Sequence, residues 1–302
     1  MLNPLEKAGI DAYRRREARG AATDDEDSRW VAFGLYMLLD AGRLVREKRM
    51  VSAREDVLYK DDGSPTTRLE TDIESLLRSR LAKFEPNAVV VGEETGGTFS
   101  SSGFMVAIDP VDGTWAFLSG TETYTTTLTV FEDGEAILGM ISNPVTGEIG
   151  YATRDGGARL LQLSVFGEPD SACDLPEPGV DSEIVLVNVH PSRDGGPIVG
   201  ALYENWREKG VRMVRSPGGS PAWALLEAAR GSFVYLNLWS KRPAEPFDLA
   251  PGVLLVQRAG GQVTDLEGKP IDMIHHSGPF VASVCEKARQ HVTDIARGVS
   301  NS

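Results

Sequence analysis

An apolar stretch, Phe104-Met105-Val106-Ala107-Ile108, runs straight into Asp109-Pro110-Val111-Asp112-Gly113-Thr114. A short apolar run bounded by turn residues reads as a buried strand. Pro110 fixes one backbone torsion and Gly113 permits an unusual one, so the chain turns sharply and two carboxylates converge. Two ionised carboxylates held that close repel one another unless a cation lies between them. Oxygen donors of this kind suit Mg²⁺, whereas Zn²⁺ usually recruits His or Cys. Taken alone, the same residues also make a solvated surface turn. Further acids at element ends weigh against that: Glu93, in Val91-Gly92-Glu93-Glu94-Thr95, closes the preceding strand, and Asp248 follows Pro246-Phe247 at a helix start. Asp248 by itself reads as an N-cap. Together, Glu93, Asp109, Asp112 and Asp248 supply carboxylates for a two-metal site.

Bulk charge supports the need for cations. The 302 residues carry 31 Lys and Arg against 44 Asp and Glu, a formal charge of −13. That excess opposes nucleic acid, whose affinity comes from Lys and Arg neutralising phosphates. An anionic substrate must then be drawn by something other than net charge, and divalent ions reverse the sign of a site. The longest apolar run, residues 30–39, has about half of the ~20 residues a membrane span needs. No membrane contact is expected. The first residues lack the basic and apolar segments of a secretory signal, and Cys173 and Cys285 are too few for a disulfide framework. A cytoplasmic location is the expectation.

Four regions follow along the chain. Residues 1–27 are charge-rich and read as a mobile arm or peripheral helix. Residues 28–163 form an α+β metal-binding half. Its first helix spans 28–50, and a second is capped by Thr66 or Thr67 and carries Ile73, Leu76, Leu77, Leu81 and Phe84 at helical spacing. Glu70 and Glu74, four apart, share one side of that second helix. Strands are expected at 88–91, 104–109, 124–131, 137–142 and 149–152. Residues 164–182, polar and containing Pro and Gly, read as a connecting segment. In residues 183–302 strands at 184–189, 211–214 and 233–238 alternate with helices at 198–209, 221–229 and 249–259, the pattern of an α/β substrate half.

Gly113 and Thr114 open a short helical stretch, and free N–H groups at such a start form a phosphate seat. In a two-metal site one cation lowers the pKa of a bound water while the other stabilises the leaving oxygen. Thr114 and Glu70 are suited to orient and deprotonate that water.

These residues resemble the inositol monophosphatase family, within the lithium-sensitive, magnesium-dependent phosphatase superfamily. The resemblance rests on Ser64-Pro65-Thr66-Thr67-Arg68-Leu69-Glu70 followed by Glu74, on Gly92-Glu93-Glu94, on Asp109 to Thr114, and on Phe247-Asp248-Leu249-Ala250-Pro251-Gly252 leading to Ala259-Gly260-Gly261. It implies a layered α-β-α-β-α sandwich of the inositol monophosphatase and fructose-1,6-bisphosphatase type, mixed α+β and α/β in class. It implies two or three Mg²⁺ per active site. Glu93, Asp109 and the Val111 carbonyl hold the first, and Asp109, Asp112 and Asp248 the second. It also implies that Gly113 and Thr114 contact phosphate. Glu70 stands where the family usually has an aspartate, so the charge is kept and moved by about one methylene. Symmetric dimers are common in such families, which makes a homodimer the expectation.

The family motif normally has Trp before its last metal aspartate and Ala at a later position; here they are Phe247 and Pro251. Asn237 replaces a position that is often acidic, and the segment 238–245 is longer than usual. Gly219 and Ser220 resemble the substrate-contact turn. Lys241 and Arg242 either meet a second anionic group of the substrate or belong to a solvated loop. The expectation is a Mg²⁺-dependent phosphomonoesterase acting on a small phosphorylated metabolite such as an inositol or sugar phosphate. Histidinol phosphate and a nucleoside 3′,5′-bisphosphate are the alternatives, the former because residues 113–120 are reminiscent of histidinol-phosphatase-like members. The Glu70 exchange alone motivates a rival of another class, a catalytically silent metal-binding regulatory subunit. No phosphate-binding Gly-x-x-x-x-Gly-Lys-Ser/Thr loop of a kinase is present. His275-His276, Ser100-Ser101-Ser102, Trp223 and Trp239 are read as loop or core, and Cys285 as buried.

Overall fold

The computed structural model describes residues 4, 6–7, 10–11, 26–51, 57–61, 63–163, 169–176, 184–188, 195–205, 213–216, 218–238 and 245–300. Lys241, Arg242 and Trp239 lie outside them. Two helices, α1 (Glu26–Val51) and α2 (Arg68–Phe84), make the first layer. The ring of Phe33 stacks on Phe84 at 4.0 Å, and Trp30 meets Phe84 edge-on at 4.9 Å. Beneath them runs a seven-stranded sheet in sequence order, β3 (Val89–Gly92), β4 (Phe104–Asp112), β5 (Thr125–Glu132), β6 (Glu135–Asn143), β7 (Glu148–Thr153), β8 (Ala158–Leu163) and β9 (Pro169–Asp174). Only β3 and β4 pair in parallel; the rest is a meander. A short hairpin, β1 (Val57–Tyr59) with β2 (Pro65–Thr67), precedes α2.

Helices α5 (Pro221–Arg230) and α6 (Pro246–Arg258) form the middle layer. Under them lies a five-stranded sheet built from β10 (Ile184–Asn188), β11 (Met213–Arg215), β12 (Phe233–Asn237), β13 (Gln262–Asp265) and β14 (Phe280–Ser283), ordered β11-β10-β12-β14-β13. Helices α4 (Gly195–Asn205) and α7 (Glu286–Ser300) cover its far face. The expected α-β-α-β-α sandwich is therefore the fold. Both faces of both sheets are buried, so the strands read as continuous apolar runs. Alternation survives only as a choice of core: Leu186 and Tyr235 join α5 and α6, while Val185, Val187, Val234 and Leu236 join α4 and α7.

Several expectations need correction. Within the segment expected to connect the halves, residues 164–182, Pro169–Asp174 pairs with β8 as an edge strand. In residues 1–27, positions 4, 6, 7, 10 and 11 are helical, and the buried Glu6 accepts hydrogen bonds from the Tyr151 hydroxyl at 3.0 Å and Arg159 Nε at 2.8 Å. At these described positions the chain packs on the seven-stranded sheet in helical conformation, as the peripheral-helix alternative has it. Cys285 is half-buried. The helix expected from 249 begins at Pro246, because proline at the first position gives up only an N–H that has no helical acceptor. Glu245 is its N-cap, so Asp248 is the third helical residue and not the cap. Pro251 lies inside α6 and cannot donate to the carbonyl of Phe247 four residues back. The Thr127 hydroxyl of β5 takes that carbonyl at 2.6 Å. Gly139 of β6 makes room for this turn: a Cβ there would lie 2.8 Å from Pro251 Cα. Among the described residues no helix is long and apolar enough to cross a membrane.

Candidate active site

The site begins where β4 leaves its ladder. Asp109 pairs with Thr127 and Asp112 with Thr125, so the register shifts between them and Pro110-Val111 bulge outward. Asp109 Oδ1 accepts the Val111 N–H at 2.8 Å, closing the bulge locally, while the Thr126 hydroxyl donates to the Pro110 carbonyl at 2.8 Å. Gly113 follows at φ 93° and caps the six-residue helix α3 (Thr114–Ser119). A side chain at Gly113 would be strained there, and its Cβ would stand 3.0 Å from Ser220 Cβ.

Asp112 points at α5. Its Oδ2 accepts from the Ser220 hydroxyl at 2.6 Å, the Ala222 N–H at 2.9 Å and the Thr125 hydroxyl at 3.3 Å. All three donors fall on one oxygen, which leaves Oδ1 for the cavity. Asp248 arrives from α6, and its buried Oδ1 has no hydrogen-bond donor. One carboxylate oxygen from each of Asp109, Asp112 and Asp248 lies within 4.8 Å of the others. Burial, reinforced by the Glu93, Asp248 and Asp112 charges, holds Asp109 well above the usual carboxylate range. Asp248 is raised in the same way, by burial and then by Asp112 and Glu93. Asp112 is pushed up to about 7 by burial, against the pull of its Ser220 and Ala222 donors. Crowded, desolvated carboxylates with a spare buried oxygen fit a hard divalent cation, which would satisfy that oxygen and remove the repulsion.

Glu93 lies outside this tight triad but lines the same cavity. The parallel pairing of β3 with β4 puts Gly92 opposite Ile108, and the Glu93 N–H donates to the Ile108 carbonyl at 3.2 Å. That places Glu93 beside Asp109. Its Oε1 is 2.7 Å from Lys60 Nζ, which also reaches Glu94 Oε1 at 2.9 Å. Burial alone would lower the Lys60 pKa, but hydrogen bonds and charge from Glu93 and Glu94 hold it above its ordinary value.

Glu70 and Thr114 are hydrogen-bonded to one another. Glu70 Oε1 accepts the Thr114 hydroxyl at 2.8 Å, and Oε2 accepts the Thr67 N–H at the helix start. Glu70 is fully buried, and burial pushes its pKa up to about 7, with Thr67 and Thr114 opposing and Glu94 and Glu93 adding to the rise. The Val111 side chain is buried in the core, and its carbonyl is 3.4 Å from the Thr114 hydroxyl.

The cavity has a volume of about 680 Å³, and its far wall comes from the five-stranded half, α6 and α3: Asn188, Gly219, Asn237, Glu245, Phe280 and Trp115. Asn188 and Asn237 face each other in register at the ends of the parallel strands β10 and β12, and the Tyr235 hydroxyl donates to Asn237 Oδ1 at 3.5 Å. Gly219 and Asn237, expected as substrate contacts, line the cavity. Ser220 does not: it is fully buried, caps α5 by accepting the Trp223 N–H at 3.0 Å, and donates a hydrogen bond to Asp112. Its part is to orient a carboxylate. Sequence reasoning missed Lys60, Asn188 and Glu245. The signal for Asn188 was present, since a lone amide ends the apolar run 184–187 as Asn237 ends the run 233–236. Lys60 had no such signal; the β1–β2 hairpin carries it to the site.

The sequence model of the inositol monophosphatase family matches residues 29–299. Over 262 residues the chain is 26% identical to the bifunctional phosphatase IMPL2 of Arabidopsis thaliana, covering 84% of this chain and 69% of that protein. It is 27% identical over 216 residues to the histidinol-phosphatase of Mycobacterium tuberculosis, covering 69% and 77%. A solved IMPase/NADP phosphatase complexed with Mg²⁺ and phosphate shares the fold with a TM-score of 0.71 at 18% identity, covering 90% of this chain and 96% of that one.

Proposed function

Because this chain belongs to the inositol monophosphatase family and is a phosphoric monoester hydrolase, we propose that it releases phosphate from a small phosphorylated metabolite in a Mg²⁺-dependent reaction. The observation that carries the reading is the Asp109, Asp112 and Asp248 cluster opening on one cavity beside the Glu70–Thr114 pair. Asp109, Asp112 and Asp248 would hold one ion, and Asp109 with Glu93 and the Val111 carbonyl would hold another. Bound there, Mg²⁺ supplies Lewis acidity that activates water and stabilises the leaving oxygen. The chain's own residues do the rest. The Thr114 hydroxyl donates to Glu70 and so turns its lone pairs toward the cavity, where it orients a water. Glu70, with a pKa near neutrality, is matched to accept the proton through Thr114. Gly113 and Thr114 hold the phosphate, while Asn188 and Asn237 offer amide edges to the alcohol being released.

Inositol and sugar phosphates suit the amide wall. Trp115 favours a second reading: it is 60% exposed and lines the cavity next to Thr114, where a flat ring of the substrate can stack. Histidinol phosphate and nucleoside 3′,5′-bisphosphates carry such rings. The test is phosphate release from a panel of inositol, sugar, histidinol and nucleoside phosphates, with Mg²⁺ and with a chelator. Turnover of none of them with Mg²⁺ would reject the enzyme reading in favour of a silent binding subunit.

A further inference from the structure

Glu74 shares the motif helix with Glu70 and has no part in the chemistry above. It is fully buried, and its carboxylate is heavily committed. Oε2 accepts the N–H of Glu94 at 3.0 Å and of Thr95 at 3.3 Å. Oε1 accepts the Thr95 hydroxyl, and also Arg78 Nε at 3.0 Å and Nη2 at 2.8 Å. Arg78 also donates to the Val90 carbonyl at 3.2 Å and the Gly96 carbonyl at 2.9 Å. Those carbonyls flank the turn that Gly92 and Gly96 close by exchanging N–H to carbonyl bonds of 3.1 and 2.9 Å. Gly92 is a condition of this arrangement, because a Cβ there would stand 1.9 Å from Glu74 Oε1.

We propose that Glu74, locked by Arg78, is a positioning residue that fixes the Glu93 carboxylate for the cation site. The inference rests on the reading of Glu93 as a metal ligand. The Glu93 backbone is gripped on both sides, by Ile108 before its side chain leaves and by Glu74 at the next two amides. Its side chain therefore leaves a turn that cannot rotate. Glu74 lies one helical turn from Glu70 on the same face of α2. One rigid element thus sets both the carboxylate on Thr114 and the turn that presents Glu93. A buried ion pair with a purely structural role would stabilise the fold without touching metal affinity.

Glu74→Gln separates the two. Gln turns one acceptor oxygen into a donor, which must then face either backbone N–H groups or a guanidinium. Magnesium chloride is titrated into metal-free protein by calorimetry, alongside Mg²⁺-dependent phosphate release. The expected result is a Mg²⁺ dissociation constant raised roughly 10- to 100-fold, as when outer partners of a ligand are lost, with kcat at saturating Mg²⁺ within a few-fold of wild type. Arg78→Lys and Gly92→Ala, which keep the Glu74 charge, should shift the constant in the same direction, and they stand in if Glu74→Gln does not fold. Leu77→Val, a core change on the same helix, should lower Tm and leave the constant alone. Equal Mg²⁺ affinity in Glu74→Gln and wild type, or equal shifts in Glu74→Gln and Leu77→Val, overturns the proposal. Glu93→Gln serves as the reference: if it binds Mg²⁺ as wild type does, the reading of Glu93 as a ligand fails and this inference with it. If Glu93→Gln weakens binding and Glu74→Gln does not, only the positioning role is lost.

Discussion

Replacing Asp112 by Asn should make the metal-free protein more stable, not less, at neutral and alkaline pH. Asn keeps the shape and an acceptor oxygen for the Ser220, Ala222 and Thr125 donors, and it removes one negative charge from the cluster. Burial holds Asp112 at about 7 in the folded chain against 3.8 when exposed. The sign follows from linkage. Below 3.8 the carboxyl is protonated folded or unfolded and costs nothing; between 3.8 and about 7 the folded state binds the extra proton, so stability falls as pH rises. Above about 7 the whole cost is present. At about 1.36 kcal/mol per pH unit, that rise comes to roughly 4 kcal/mol. With a few degrees per kcal/mol for a chain of this size, metal-free Asp112→Asn should melt roughly 10 °C above wild type at about pH 8, and the gap should close by about pH 4.

Thermal melts of both proteins in chelator across that pH range give the comparison. Mg²⁺ at about a thousand times its Kd should remove the advantage, since a ligand at that level adds about 4.1 kcal/mol to the form that binds it. Turnover in the variant should be nearly abolished. If metal-free Asp112→Asn melts below wild type at pH 8, or if the gap is the same at both ends of the pH range, burying the Asp112 carboxylate does not carry this cost.

Glu70→Gln should keep the fold and lose roughly 10²- to 10⁴-fold in kcat, the usual share of a general base, measured as phosphate release at saturating Mg²⁺. In wild type the acidic limb of kcat should follow Glu70: the base is ionised above about 7 and protonated below it, so turnover falls as pH drops. Cations on Glu93 offset one of the charges that raise this pKa, so higher Mg²⁺ should move the limb to lower pH, and the limb should vanish in Glu70→Gln. Gly139→Ala drives a Cβ to 2.8 Å from Pro251 Cα and should cost roughly 1–3 kcal/mol while raising the Mg²⁺ requirement, because α6 carries Asp248. Glu6→Ala leaves the Tyr151 hydroxyl and the Arg159 guanidinium without their buried acceptor. It should lower stability by roughly 1–3 kcal/mol in denaturant titration with kcat unchanged.

What the amino-acid order determined by itself was local. The apolar run ending in Asp109, the Pro110 and Gly113 that force the turn, the helical spacing that puts Glu70 and Glu74 on one face, and the alternation beyond residue 183 all follow from torsions and periodicity within a few residues. They suffice for an α+β half followed by an α/β half and for most of the acids in the site, while the five-layered order is what the family resemblance implies. Meetings across the chain were decided only by packing. Ser220 resembles part of a substrate-contact turn in the sequence, and it becomes the orienter of Asp112 because α5 is wedged between two sheets. Lys60 reaches Glu93 through a hairpin, and Glu74 grips the turn after Glu93 through a helix twenty residues earlier in the chain. Periodicity specifies which face of an element is buried, but not which distant polar atom it will find there. That is settled by which hydrogen-bonding groups are desolvated together when the layers close, since each must then find a partner in the interior.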